Sequence, residues 1–258
     1  MIVFLHIPKT AGSTFQFILE NTFGLSACHS NHAKKPVFQQ DDFAFAQKFF
    51  PRMKSLAGHN LLDPLALDLP APFHVTFLRE PVARTFSHFQ DSVLTARKTW
   101  TFEEFLQQTH DDQVDNLHVR LMAGELNLDK AKKYLEHCDF VGLTEKFDLS
   151  LHILQKLSPL TLNLNYKRRR TARTNAVRQP VDTDPRMIEL AREHNRLDLA
   201  LYDFAVREIF PKFCARTGFT PDARVASFDT YVTDRHWRYH LCHLYSRGIY
   251  RQFAKLHR

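Results

Sequence analysis

Glycine is scarce, at 7 of 258 residues. That excludes collagen-like repeats and glycine-rich linkers. Cysteine is rarer still: Cys28, Cys138, Cys214 and Cys242 lie far apart and form no CxxC pair. Neither a zinc ribbon nor a dense disulfide framework fits that spacing, so buried free thiols are expected. No run approaches the roughly 18 consecutive apolar residues of a membrane span. There is no internal repeat and no low-complexity segment. Met1–His6 is too short for a signal peptide and runs straight into a loop motif. A cytoplasmic protein is the expectation, or a Golgi-lumenal one should an anchor precede this sequence. The order GxxxxGK[ST] is also missing, which removes a standard Walker A loop.

What is present is ordinary for a globular chain: 44% hydrophobic and 24% charged residues, with Phe abundant at 23. A chain of this length buries a sizeable core without covalent staples. The net charge is +7, which favours an anionic partner without choosing among nucleotide, polyanionic glycan, nucleic acid and membrane surface.

Ile2–Leu5 is a short apolar run and reads as a buried strand. After a loop at Pro8–Gly12, Phe15, Ile18, Leu19 and Phe23 recur at helical spacing. Residues 26–40 read as a polar surface loop, Phe43–Met53 as a helix and Lys54–Gly58 as a short strand. Phe73–Leu78 is a second clear strand, and Pro81 suits the first turn of the helix after it. Thr101 and Glu104 form a capping-box pattern within a set of short helices. Phe140–Leu143 reads as a third core strand, followed by a helix from Glu145 to Leu157. Asp184-Pro185 opens a long helical region reaching Phe213, and the tail from Asp234 to Arg258 is basic, aromatic and helical. Strands alternating with helices predict an α/β fold with a central parallel sheet flanked by helices in three layers, plus a helical C-terminal extension. The expected division is a domain over 1–216 and an extension over 217–258 packed on it.

Two segments carry the chemistry. In Phe4-Leu-His-Ile-Pro-Lys9-Thr10-Ala11-Gly12-Ser13-Thr14-Phe15, a buried strand delivers a tight loop to a helix N-terminus. Such a terminus presents unpaired N–H groups and partial positive charge to an anion. Gly12 permits close approach, Ser13 and Thr14 add hydroxyls, and Lys9 adds full charge. In Thr76-Phe-Leu-Arg79-Glu-Pro81-Val-Ala-Arg84-Thr-Phe-Ser87-His88-Phe89 the same order recurs, with an Arg where strand meets helix. Arg79 can fork onto a phosphate; a structural ion pair with Glu80 or a neighbour is the plainer alternative. His88 reads as helix surface.

These residues carry a resemblance. PKTAGST after the first strand is similar to the 5′-phosphosulfate loop of sulfotransferases that use 3′-phosphoadenosine 5′-phosphosulfate (PAPS). LREPVARTFSHF resembles their 3′-phosphate motif, in which an Arg is followed eight residues later by a Ser, as Arg79 is by Ser87. Phe140-Val-Gly-Leu-Thr-Glu145 resembles a later family strand and turn. Leu162-Asn-Leu-Asn165 and the Arg-rich run after it look like the loop that closes over the nucleotide. Asn116-Leu-His-Val-Arg120-Leu-Met-Ala-Gly124 resembles a stretch of the carbohydrate branch, nearest the heparan sulfate 2-O/6-O-like enzymes and bacterial relatives, though His118-Val119 replaces the commoner Gln-Thr.

The resemblance implies a fold related to nucleotide kinases and metal-free in-line transfer of sulfuryl from PAPS to a hydroxyl, leaving 3′,5′-ADP. The acceptor it implies is a carbohydrate or glycan; nucleic acid is not expected as a partner, nor is a bound metal. Lys9 would sit at the oxygen bridging phosphate and sulfur. Thr10, Ala11, Gly12, Ser13 and Thr14 would hold the 5′-phosphate, and Arg79 and Ser87 the 3′-phosphate. One or more of Arg168, Arg169, Arg170 and Arg173 would cover the nucleotide. His59, after Gly58 at a strand end, would be the general base, since imidazole titrates near neutrality. His6 is the other candidate and is expected to pack beneath the loop. Two further readings remain open: a P-loop kinase or NTPase, and a non-catalytic module binding nucleic acid or sulfated glycan.

Overall fold

Ile2, Val3, Phe4 and Leu5 are all fully buried. Successive strand residues point to opposite faces, so both faces of the sheet are covered at this strand. It is β1 (Ile2–Leu5) of a computed structural model that describes residues 1–33, 35–95, 99–107, 115–166, 179–229 and 237–254. The chain continues through α1 (Gly12–Phe23), β2 (Ala27–His29), α2 (Gln40–Phe49), β3 (Ser55–Gly58), β4 (Phe73–Leu78), α3 (Pro81–Thr95) and α4 (Phe102–Gln107). Then follow α5 (Leu117–Ala123), α6 (Leu128–His137), β5 (Phe140–Leu143) and α7 (Phe147–Leu157). The last part is helical: α8 (Gln179–Asp182), α9 (Pro185–His194), α10 (Arg196–Phe204), α11 (Phe210–Thr217), α12 (Trp237–Tyr245) and α13 (Arg251–Ala254).

The strands form one sheet in the order β2-β3-β1-β4-β5. Every pairing is parallel, with Leu5 level with Gly58 on one side and Thr76 on the other. Helices flank this sheet, as expected for parallel strands that need crossovers. The abundance of Phe has a place here. Phe4 meets Phe15 edge-on at 4.8 Å, Phe15 meets Phe77 at 5.1 Å, and Phe77 meets Phe140 edge-on at 6.0 Å. Each such ring contributes about 1.5–3 kcal/mol by burial, and the offset geometries add to that.

Three boundaries differ from the sequence reading. Residues 26–40 are not all loop: Ala27–His29 pairs with Ser55–Ala57 as an edge strand. Three residues are too few to show a periodic signal. The helix expected at Phe43–Met53 is Gln40–Phe49, started by a reciprocal cap between Gln39 and Asp42. The helical region from Asp184 breaks at Asn195, whose side chain bonds across to α3. Thr101 and Glu104 do form the reciprocal cap of α4, at 3.2 and 2.8 Å. All four cysteines are buried and free. Among the described residues, no helix is long and apolar enough to cross a membrane.

Candidate active site

Because β1 has neighbours on both sides, the segments leaving β1, β3 and β4 emerge together at their carboxyl ends. Ligands of open parallel sheets bind at this edge, where the strand order reverses. The three segments carry Lys9, His59 and Arg79.

The loop after β1 is built for a tight turn. Lys9 and Ala11 adopt left-handed backbone, with φ of 69° and 62°, a conformation that costs a residue with a Cβ of order 1 kcal/mol. Thr10 is fully buried and its hydroxyl donates to the Ile7 carbonyl at 2.9 Å. Its side chain therefore braces the turn. Ala11 caps α1 without a side-chain hydrogen bond, and its carbonyl accepts from the Thr14 and Phe15 amides at 2.9 and 3.3 Å, so the terminus turns its first amides and its positive end toward an anion. Ser13 is half-buried in the first turn, and Thr14 is buried.

Gly12 has a reason the sequence did not show. A Cβ there would lie 1.9 Å from Cδ2 of His6. The buried His6 ring thus packs directly beneath the loop, stacked on Phe4 at 5.4 Å.

Arg79 reaches this loop from β4. Its Nη1 donates to the Lys9 carbonyl at 3.2 Å. Glu80 caps α3, accepting from the Val82 and Ala83 amides at 3.1 and 2.6 Å. Lys9 extends toward the same helix: its Nζ lies 3.4 Å from Oδ1 of Asp91. Asp91 stands four residues after Ser87, on the same face of α3. Lys9, Arg79, Ser87 and Asp91 are thereby tied to one region.

His59 follows β3 and is half-buried. Its ring lies 4.0 Å from that of His6, and its Nδ1 meets the His6 carbonyl at 2.5 Å. A carbonyl only accepts, so Nδ1 carries the hydrogen and Nε2 is left as the basic nitrogen in the neutral ring. The His59 amide donates to Oδ1 of Asn31 at 2.8 Å. Gly58 permits this approach, since a Cβ on it would fall 1.8 Å from Oγ of Ser30.

A profile of the family described as the sulfotransferase family matches residues 1–205. The chain belongs to the sulfotransferase family. No curated protein matches it. A crystal structure of a sulfotransferase from Alicyclobacillus acidocaldarius is similar over 99% of this chain and 95% of that one, at 16% identity and a TM-score of 0.38.

Arg168, Arg169, Arg170 and Arg173 lie outside the described residues. His88 is half-buried rather than on the surface, edge-on to Phe105 at 5.5 Å. Asp91 and Asn31 were missed in the sequence of this sulfotransferase. The spacing of Asp91 from Ser87 was a usable signal; Asn31 sits in an irregular stretch and gave none.

The family-like stretch from Asn116 to Gly124 proves to be a helix with its own start and stop. Asn116 accepts from the Leu197 and Asp198 amides at 2.8 and 3.2 Å, opening α10. Asp198 returns the bond, accepting from the His118 and Val119 amides at 2.9 Å each, opening α5. Gly124 ends α5 in left-handed backbone, φ 72°. Fully buried Arg84 of α3 joins this cluster, its Nη2 3.4 Å from Oδ1 of Asn195. Burial lowers the Arg84 pKa to about 10, against the opposing charge of Asp198. Burial pushes the Asp198 carboxyl up to about 6, against Arg84 and the two amides. Burial and Arg84 hold His118 well below its usual value, so its 3.4 Å contact with Asp198 is one of a neutral ring.

Proposed function

We propose that this protein moves a sulfuryl group from PAPS to a hydroxyl of a carbohydrate or glycan. The observation that carries the reading is the convergence of Lys9, Arg79 and His59 at the carboxyl ends of three adjacent parallel strands. The uncapped start of α1 would receive the 5′-phosphate through main-chain N–H groups and the Ser13 and Thr14 hydroxyls. Arg79 and Ser87 would hold the 3′-phosphate, Arg79 by charge-assisted bonds. PAPS supplies an activated sulfur whose leaving group is 3′,5′-ADP.

His59 Nε2 would take the proton of the acceptor hydroxyl as its oxygen bonds to sulfur. Lys9 Nζ would neutralise the charge gathering on the phosphate oxygen as the bond from that oxygen to sulfur breaks. The proton ends on His59 and the electron pair on 3′,5′-ADP. Asp91 would hold the ammonium until the nucleotide binds. A carbohydrate acceptor is supported by the likeness of Asn116–Gly124 to the carbohydrate branch.

Calorimetric titration with 3′,5′-ADP, AMP and ATP plus magnesium tests the donor site. Metal-independent binding that needs the 3′-phosphate and falls about 10–100-fold in Arg79→Ala is expected, the range for a charged hydrogen bond. Equal binding of AMP, or a magnesium-dependent preference for ATP, would overturn the reading in favour of a kinase or NTPase.

A further inference from the structure

The C-terminal helical segment presents two unlike faces. Cys242, Ser246, Tyr250 and Ala254 recur at four-residue spacing and are buried. Cys242 Sγ donates to the Ala27 carbonyl at 3.6 Å, Tyr245 donates to the Phe49 carbonyl at 2.8 Å, and Tyr239 packs on Phe17 at 5.0 Å. The opposite face is apolar and turned outward. Trp237, Leu241 and Leu244, at i, i+4 and i+7, are 62%, 41% and 72% exposed. Ile249 and Phe253, also four residues apart, are exposed as well, and so is Leu25 in the turn that α12 packs against. Large apolar side chains exposed along one helix face, as Trp237, Leu241 and Leu244 are, mark an interaction site.

Charge narrows the partner. Residues 237–258 contain Arg238, Arg247, Arg251, Lys255 and Arg258 and no Asp or Glu. Arg238 lies 5.4 Å over the Trp237 ring. A second copy of this face would set like charges against each other. An anionic bilayer surface satisfies both features, receiving Trp and Leu side chains at the headgroup boundary and attracting the flanking cations.

We propose that α12 and the turns after it dock the protein on an anionic membrane surface. The Arg238 end of the segment lies far from the Lys9–Gly12 loop, while its last turns pack near Ser30–Ala33, beside His59. Arg238 Nη1 donates to the Thr22 carbonyl at 3.1 Å, in the last turn of α1. The Lys9–Gly12 loop is at the other end of that helix, about 18 Å away by helical rise.

Trp237 is one of two tryptophans, so Trp100→Phe makes it a single reporter. With phosphatidylcholine vesicles containing phosphatidylglycerol, its emission should shift to the blue and the protein should sediment with the lipid. Pure phosphatidylcholine should give little of either, and high salt should weaken both. Leu244→Glu in the same background should reduce binding at least ~10-fold, with an unchanged thermal midpoint because the side chain is exposed. Arg247→Glu should weaken it less. No sedimentation of the parent protein, or full binding by Leu244→Glu, would overturn the proposal. So would a concentration-dependent dimer that Leu244→Glu dissolves without any lipid binding, which would assign the face to a second copy.

Discussion

Arg79 and Arg84 stand five residues apart in one motif and serve different regions. Arg79 is half-buried and bonds the backbone of the Lys9–Gly12 loop. Arg84 is fully buried and joins α3 to the α9–α10 junction. The regions around them use similar chemistry: each has an Arg, a His and an acid. They differ in access. Around the loop, Lys9 keeps 16% of its side-chain surface and His59 is half-buried; around Arg84, both His118 and Asp198 are sealed. A partly open cation can exchange Asp91 for a ligand. A sealed one must be balanced permanently from within, because an unpaired buried charge is very costly.

The largest effect expected is on turnover at the open region. His59→Ala should lower kcat by about 10²–10⁴-fold, the usual yield of general acid–base catalysis, with the unfolding midpoint little changed. Normal turnover with a competent acceptor would remove the proposed base and blur the division between the regions.

The sealed region should respond in stability instead. Arg84→Ala leaves Asp198 without its balancing cation and should destabilise by about 3–5 kcal/mol in urea unfolding. A loss below ~1 kcal/mol would show that the cluster is not a balanced pair.

The pH dependence sharpens the contrast. Asp198 titrates near 6 when folded and near its ordinary value of about 3.9 when unfolded. With its folded pKa raised, its stabilising contribution is complete below pH ~4 and is lost as pH rises through ~6. The decline is about 3 kcal/mol at one pKa unit per 1.36 kcal/mol. Urea titrations between pH 4 and 7 should show that slope in the native protein and not in Asp198→Asn.

The smallest effect belongs to neither region. Thr101→Ala removes the α4 cap and should cost about 1 kcal/mol, leaving turnover and its pH profile unaltered.

Much of the frame was legible. Ile2–Leu5 and Phe73–Leu78 are apolar runs ending in a loop with a cation, and Pro81 and Thr101 mark helix starts by local chemistry. The edge strand at Ala27–His29 was not, because three residues paired on one side have too little pattern of their own. At the site, the sequence offered Lys9, Arg79, Ser87 and His59 but not what orients them.

The sequence by itself determined the order of strand, loop and helix, and the membership of residues 1–205 in the sulfotransferase family. That order is local, and steric and capping rules act within a few residues. Only the tertiary structure decided which His59 nitrogen is basic, why Gly12 must be glycine and which of two arginines is sealed. Each is set by a contact between distant positions. His59 and His6 are separated by 53 residues, Arg79 and Lys9 by 70, and Arg84 and Asn195 by 111. Burial and hydrogen-bond partners at such range depend on how the strands are ordered, and no local pattern encodes that.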